Sequence, residues 1–258
     1  MDLLEIRNIS KHFGGIIAVD NFSLKVKKNQ LIGIIGPNGA GKTTIFNLIS
    51  GITKTTSGKI FFKGKEITFL KPSHISKLGI ARTFQNLRLF RGLDVISNVE
   101  IAYTYRMRYN FFQALFWPPI VLRENKKFRN LAKESLNLVK VPTNYYYEKP
   151  TNLPYGLQKR IDLARALSLL PQVLLLDEPA AGLNPYEVIE LIDIIKLIQK
   201  EYQKQNLSII LVEHRMEMIM ELCEEICVLD FGKTIAKGTP EYIQNNENVL
   251  TAYLGEEF

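Results

Sequence analysis

The 258-residue sequence holds only two cysteines, one tryptophan and three histidines. Two cysteines make no disulfide framework. Cys223 and Cys227, with Leu222, Ile226 and Val228 around them, read as small apolar core residues of a reducing compartment. The nearest histidine, His214, adds too few ligands for a metal site. No apolar run approaches the ~20 residues that span a bilayer, and the best candidate, 111–122, is interrupted by Pro118 and Pro119. The opening stretch carries Asp2 and Glu5 in a strand-like pattern, unlike a signal peptide. The expectation is a cytosolic chain that reaches a membrane only through a partner. There is no internal repeat and no low-complexity tract.

What is present is the balance of a globular protein, 46% hydrophobic and 23% charged. The net charge of +7 would suit nucleic acid or an anionic membrane surface. The lysines and arginines are spread along the chain, however, and form no tract with interleaved aromatics. They describe a solvated, mildly basic surface.

Several segments read as strands: 3–9, 16–26, 58–67 with Gly64-Lys65 as a turn, 173–176, 208–212 and 225–229. Leu31–Ile35 is a short apolar run ending in Gly36, which suits a buried parallel strand. Helical patterns cover 43–50, closed by Gly51, and 185–201. The stretch from about 70 to 170 reads as mostly helical, with Pro118, Pro119 and Pro142 as punctuation. A parallel sheet with crossover helices and a helical insertion fits this order.

Two motifs carry chemistry. Gly36-Pro37-Asn38-Gly39-Ala40-Gly41-Lys42-Thr43, followed by Thr44, satisfies G-x-x-x-x-G-K-[ST]. Glycines let the backbone curl until successive N–H groups face phosphate oxygens, and the following helix adds its positive end. Lys42 supplies a cation for the β- and γ-phosphates, and the Thr43 hydroxyl can bind Mg2+. With glycine usage of about 7%, about one chain in a hundred would match by chance. The second motif is an apolar run that ends in Asp177-Glu178-Pro179. Carboxylates at the C-terminal end of a buried strand are where α/β folds build sites. Asp177 would orient Mg2+ and Glu178 would polarise an attacking water.

The segments between and after these motifs resemble those of ABC transporter ATPases. Leu153-Pro154-Tyr155-Gly156-Leu157-Gln158 resembles the signature loop, Gln85 in Arg82-Thr83-Phe84-Gln85 the glutamine loop, Ala181-Gly182-Leu183-Asn184 the loop after the catalytic glutamate, and His214 the switch histidine. All occur in family order along essentially the whole chain. Ile80–Gln85, the Leu-Pro-Tyr-Gly signature, Glu178–Pro185, Gly238-Thr239-Pro240 and 252–256 are similar to the first ATPase subunit of branched-chain amino-acid importers. His214 also favours the first-subunit type, since the paired second subunit typically lacks that histidine.

The resemblance implies an α/β fold. It would have a P-loop NTPase core, an N-terminal antiparallel β-subdomain and an inserted α-helical subdomain. The whole of 1–258 would be one ABC ATPase domain, with 1–86 and 154–258 as core and 87–153 as the insertion. It implies ATP and Mg2+ as ligands. Phe13 would stack on adenine, Asn38 to Thr44 would hold the phosphates, and Thr43, Gln85 and Asp177 would arrange Mg2+ and water. Glu178 would act on the nucleophilic water, and His214 would contact the γ-phosphate. For Phe13 a place in the core is the competing reading.

Tyr155 and Gly156 would close in trans over ATP bound to a second ABC ATPase subunit, through a helix beginning near Gln158. Pro154, Tyr155 and Leu157 depart from the broad family pattern Leu-Ser-Gly-Gly-Gln. Integral-membrane permease subunits would dock on the insertion, whose aromatic clusters 111–112, 116–117 and 145–147 are either docking or core residues. An extracytoplasmic substrate-binding protein would contribute indirectly, and no nucleic acid is expected. The place of work would be the cytoplasmic face of the inner membrane. A urea importer, the ATPase of lipopolysaccharide export, a soluble ABC ATPase acting on nucleic acid or ribosomes, and a subunit that binds but hardly hydrolyses ATP remain as alternatives.

Overall fold

Gly14 and Gly15 separate two segments of partly alternating polarity. In the computed structural model they join β1 (Leu4–Phe13) to β2 (Ile16–Val26) as an antiparallel pair. The structure describes residues 2–106 and 118–254. The aromatic pairs Phe111-Phe112 and Phe116-Trp117, and the terminal Gly255-Glu256, lie outside the described residues.

The all-buried run β3 (Leu31–Ile35) joins a different sheet from the β1–β2 pair. β4 (Ser57–Phe62) and β5 (Lys65–Glu66) complete a four-stranded antiparallel sheet of order β2-β1-β4-β5. Their turn is Lys63-Gly64, one residue before the expected pair. Both residues have positive φ, 51° and 76°, as two-residue hairpin turns require.

The second sheet is assembled from β6 (Ile80–Arg82), β7 (Val173–Asp177), β8 (Ser208–Val212), β9 (Glu225–Asp230) and β10 (Lys233–Gly238) with β3, in the order β10-β9-β3-β8-β7-β6. All neighbours are parallel except β10, which runs against β9. β3, β7 and β8 are buried at every position, and so read as continuous apolar runs rather than alternations. β6 corrects the expectation of a helical stretch from 70 to 170. Three residues are too few to impose a period on the sequence, and pairing with β7 decides their conformation. β10 and the two C-terminal helices, Pro240–Gln244 and Glu247–Leu254, were not legible either.

The chain falls into two compact units. One comprises 1–85, 172–181 and 199–258, and the other comprises 86–171 and 182–198. All ten strands among the described residues belong to the first unit. Its core is continuous across both sheets, from Leu4, Phe22 and Phe62 through Ile45 and Phe46 to Ile34, Leu175 and Val212. Cys223 lies at the end of helix Met216–Leu222 and Cys227 within β9. Both are free and buried, and burial pushes their thiols up to about 12 and about 11.

The second unit is helical among its described residues, with helices Val95–Glu100, Pro118–Leu138 and Tyr155–Leu167 and most of Pro185–Glu201. Tyr103 stacks on Phe128 with ring centroids 5.6 Å apart. Tyr146 is buried and donates its hydroxyl hydrogen bond to Asn137 Oδ1, which makes it a core residue. Tyr147 is exposed, with the Arg129 guanidinium over its ring. No helix among the described residues is long and apolar enough to cross a membrane.

Candidate active site

Four adjacent strands of the parallel sheet, β3, β8, β7 and β6, end on the same side. The residues that follow them carry the chemistry. After β3 the chain turns through Gly36 and Gly41, with φ of 148° and 101°. A Cβ at Gly36 would lie 2.1 Å from the Leu229 carbonyl oxygen, and one at Gly41 would lie 2.4 Å from that of Ala18. Only glycine fits either place. Pro37 and Ala40 are buried beneath the loop, while Asn38 and Gly39 are exposed at its crest.

Helix Lys42–Ile49 begins at Gly41, which offers no side-chain cap to its first-turn N–H groups, as a helix end that receives an anion requires. Lys42 Nζ donates to Gly36 O at 2.6 Å and Pro37 O at 2.8 Å, clamping the loop to its own helix. The Thr43 side chain is exposed beside it, and Thr44 is half-buried.

After β7, Asp177 and Glu178 take different environments. Asp177 is buried, and its Oδ2 accepts from Arg82 Nη2 at 2.6 Å. Arg82 Nη1 is held in turn by Asn47 Oδ1 and Ser50 Oγ. Asp177 Oδ1 is buried without a hydrogen-bond partner. An unsatisfied carboxylate oxygen costs stability unless a ligand or water uses it, which fits a place in the hydration shell of a divalent cation.

Glu178 adopts a left-handed backbone, φ 46°, which is uncommon outside glycine and typical of functional sites. Its Oε2 accepts from Gln85 Nε2 at 2.7 Å, and its Oε1 lies 2.9 Å from His214 Nε2. Gln85 and His214, 93 and 36 positions from Glu178 in the chain, thus meet at its carboxylate.

Phe13 lies at the hairpin end of β1, 49% exposed, with Lys11 Nζ 4.8 Å above its ring. It is therefore not a core phenylalanine. Tyr155 and Gly156 belong to the other unit. Their helix starts at Tyr155, three residues before the expected Gln158, because Pro154 serves as its cap. Gly156 is buried within the first turn, where a Cβ would come 2.4 Å from Glu187 Oε1. Glu187 Oε2 accepts from Asn184 N, and Asn184 Oδ1 accepts from Glu187 N, a reciprocal cap on helix Pro185–Glu201. The Tyr155 ring covers Gly182, 3.0 Å from where its Cβ would stand.

Two residues in this site escaped the motif reading. Arg82 was visible only as part of a resemblance. Glu213, two per cent exposed, accepts from Ala180 N at 2.7 Å through Oε1, and from His214 N at 3.0 Å and Arg215 N at 3.4 Å through Oε2. The available signal was an acid directly after an apolar strand, beside a histidine.

The chain resembles known proteins along essentially its whole length. The family model described as ABC transporter matches residues 19–181, and one described as branched-chain amino acid ATP-binding cassette transporter matches 233–258. The chain is 39% identical over 254 residues to the high-affinity branched-chain amino acid transport ATP-binding protein BraF of Pseudomonas aeruginosa, covering 98% of each. It is 31% identical to the lipopolysaccharide export system ATP-binding protein LptB of Haemophilus influenzae, covering 100% of this chain and 99% of that one. A solved structure, the ADP conformation of an ATP-binding cassette of an ABC transporter, superposes with a TM-score of 0.81 at 28% identity and covers 99% of both chains. The chain belongs to the ABC transporter family.

Proposed function

We propose that this chain is the ATP-binding, ATP-hydrolysing subunit of an ABC importer of branched-chain amino acids. It works at the cytoplasmic face of the cell membrane through permease subunits and as one of a pair of cassettes. The observation that carries the chemistry is the grip of Gln85 and His214 on the two carboxylate oxygens of Glu178. A carboxylate held at both oxygens is oriented to accept a proton from one water in a fixed direction.

The backbone from Asn38 to Thr44 receives the phosphates. Lys42, tethered to Gly36 and Pro37, keeps its charge under them without freedom to swing away. Thr43, Gln85 and Asp177 Oδ1 would hold Mg2+, which when bound neutralises charge on the β- and γ-phosphate oxygens. Phe13 presents an exposed ring face for the adenine. His214 would contact the γ-phosphate while it holds Glu178. Tyr155 and Gly156 serve the site of the second cassette.

The transported substrate is supported by likeness to BraF and by the match of residues 233–258 to the branched-chain cassette model. The likeness to LptB sustains lipopolysaccharide export as the second reading.

Two measurements test the proposal. ATP turnover by the purified chain should vanish in Glu178→Gln, while that variant gains a dimer stabilised by Mg-ATP. Uptake of labelled leucine, isoleucine and valine should fall in cells deprived of the chain and return with it. Unchanged uptake would remove the substrate assignment, and full turnover by the variant would remove the role of Glu178.

A further inference from the structure

We infer that Glu213 is a positioning residue that sets the distance between Glu178 and His214, an inference that rests on the reading of those two as the hydrolytic pair. The parallel register places Asp177 opposite Val212, and the ladder continues one step further, with Glu178 N donating to Val212 O at 2.9 Å. The next residue on each strand leaves the sheet. At that divergence stands the Glu213 carboxylate, and each of its oxygens serves one departing loop. Oε1 takes the N–H of Ala180, inside the turn that Ala181 N closes onto Glu178 O at 3.1 Å. Oε2 takes the N–H groups of His214 and Arg215.

Glu213 forms no ion pair with a lysine, arginine or histidine among the described residues. Its burial is offset by backbone N–H groups alone, each of which would otherwise be a buried donor in need of an acceptor. A neutral acceptor could satisfy one of the two loops. A side chain with two equivalent acceptor oxygens, long enough to reach both, is what couples them. Glu178 cannot relax into this arrangement unaided, because its left-handed backbone must be held by its surroundings. The 2.9 Å contact between Glu178 Oε1 and His214 Nε2 is therefore the outcome of two loops pinned to one carboxylate. Glu213 itself touches neither reacting side chain.

The test compares Glu213→Gln, Glu213→Asp, His214→Ala and the double variant Glu213→Gln/His214→Ala, in the transporter complex co-purified through this chain. Glutamine keeps the length but places an NH2 donor against one set of N–H groups, and aspartate keeps the charge but is too short to serve both loops. In Glu213→Gln, kcat should fall about tenfold or more while KM for ATP and Kd for Mg-ADP stay within about twofold. Its Tm should fall by only a few degrees, the cost of buried N–H groups left without an acceptor, which is far less than a loss of the fold. The double variant should be no slower than His214→Ala alone, as expected for residues acting through one interaction.

A parent-like kcat in Glu213→Gln would overturn the inference. So would losses that multiply in the His214→Ala background, or losses that follow Tm and Mg-ADP affinity downward in both Glu213 variants. If His214→Ala and Glu178→Gln themselves leave turnover intact, the fault lies with the reading of the catalytic pair and not with Glu213 alone.

Discussion

Arg82 and Asp177 form a buried ion pair, Nη2 to Oδ2 at 2.6 Å, with side chains 6% and 3% exposed. One oxygen of Asp177 is thereby committed to a fixed cation, and the other is buried without a hydrogen-bond partner. Arg82 reaches Asp177 from β6, while Asn47 and Ser50 brace it from the helix of the phosphate-binding loop and its cap. The pair thus ties the second carboxylate motif to the first glycine motif through a residue that belongs to neither.

Breaking that pair should be expensive. Arg82→Met leaves a buried carboxylate without its partner and should lower folding stability by about 3–5 kcal/mol. Urea denaturation read by circular dichroism measures it. The exposed pair Lys59–Glu66 is the control, and Lys59→Met should leave the midpoint essentially unmoved.

Gly41→Ala should weaken Mg-ADP binding by about tenfold or more, since a side chain at that positive φ costs about 1–3 kcal/mol and its Cβ would meet the Ala18 carbonyl. Gly92→Ala, where no atom lies within 4 Å of the added Cβ, should bind as the parent does. Titration calorimetry separates the two.

Glu187→Ala removes the reciprocal cap and should cost about 1 kcal/mol of stability. Gly156→Ala should be harmful in the parent, where the new methyl meets Glu187 Oε1, and much less so in the Glu187→Ala background. Thermal melts of the four proteins give the coupling directly. Additive losses would mean that Gly156 is required for some other reason.

Cys223 and Cys227 should resist alkylation at pH 8 in the folded protein and react fully in guanidinium, because burial holds both thiols protonated. The sign for stability follows from their pKa values, raised from 9.0 to about 12 and about 11. Protonated thiols favour the folded state. Their contribution is complete below about pH 9 and is lost as pH rises through 11 and 12. Mass spectrometry after timed alkylation checks the first statement, and the alkaline limb of a stability profile checks the second.

Legibility in the sequence followed how local each determinant is. The turn at Gly36 to Gly41, the buried runs β3, β7 and β8, and the acids that end β7 all announce themselves within a few residues, because glycine conformations and apolar burial act on the chain where they occur. β6 did not, since Ile80–Arg82 becomes a strand only by lying against β7. The signature helix starts three residues before Gln158, because Pro154 initiates it without any side-chain cap to mark the place in the sequence. Gly156 reads in the sequence as part of the signature loop, and only the fold brings Glu187 against it.

By itself the sequence determined which groups are available: a phosphate-binding loop, two carboxylates, a glutamine and a histidine in the order of an ATP-binding cassette. Only the tertiary structure decided what each carboxylate touches. Asp177 and Glu178 are neighbours in the chain, yet one turns inward to Arg82 and the other outward to Gln85 and His214. Asp177 is the last residue of β7, while Glu178 has left the strand in a left-handed backbone, so their side chains part. Which partner each meets depends on Arg82 and His214, 95 and 36 residues away in the chain, brought alongside by the packing of the sheet.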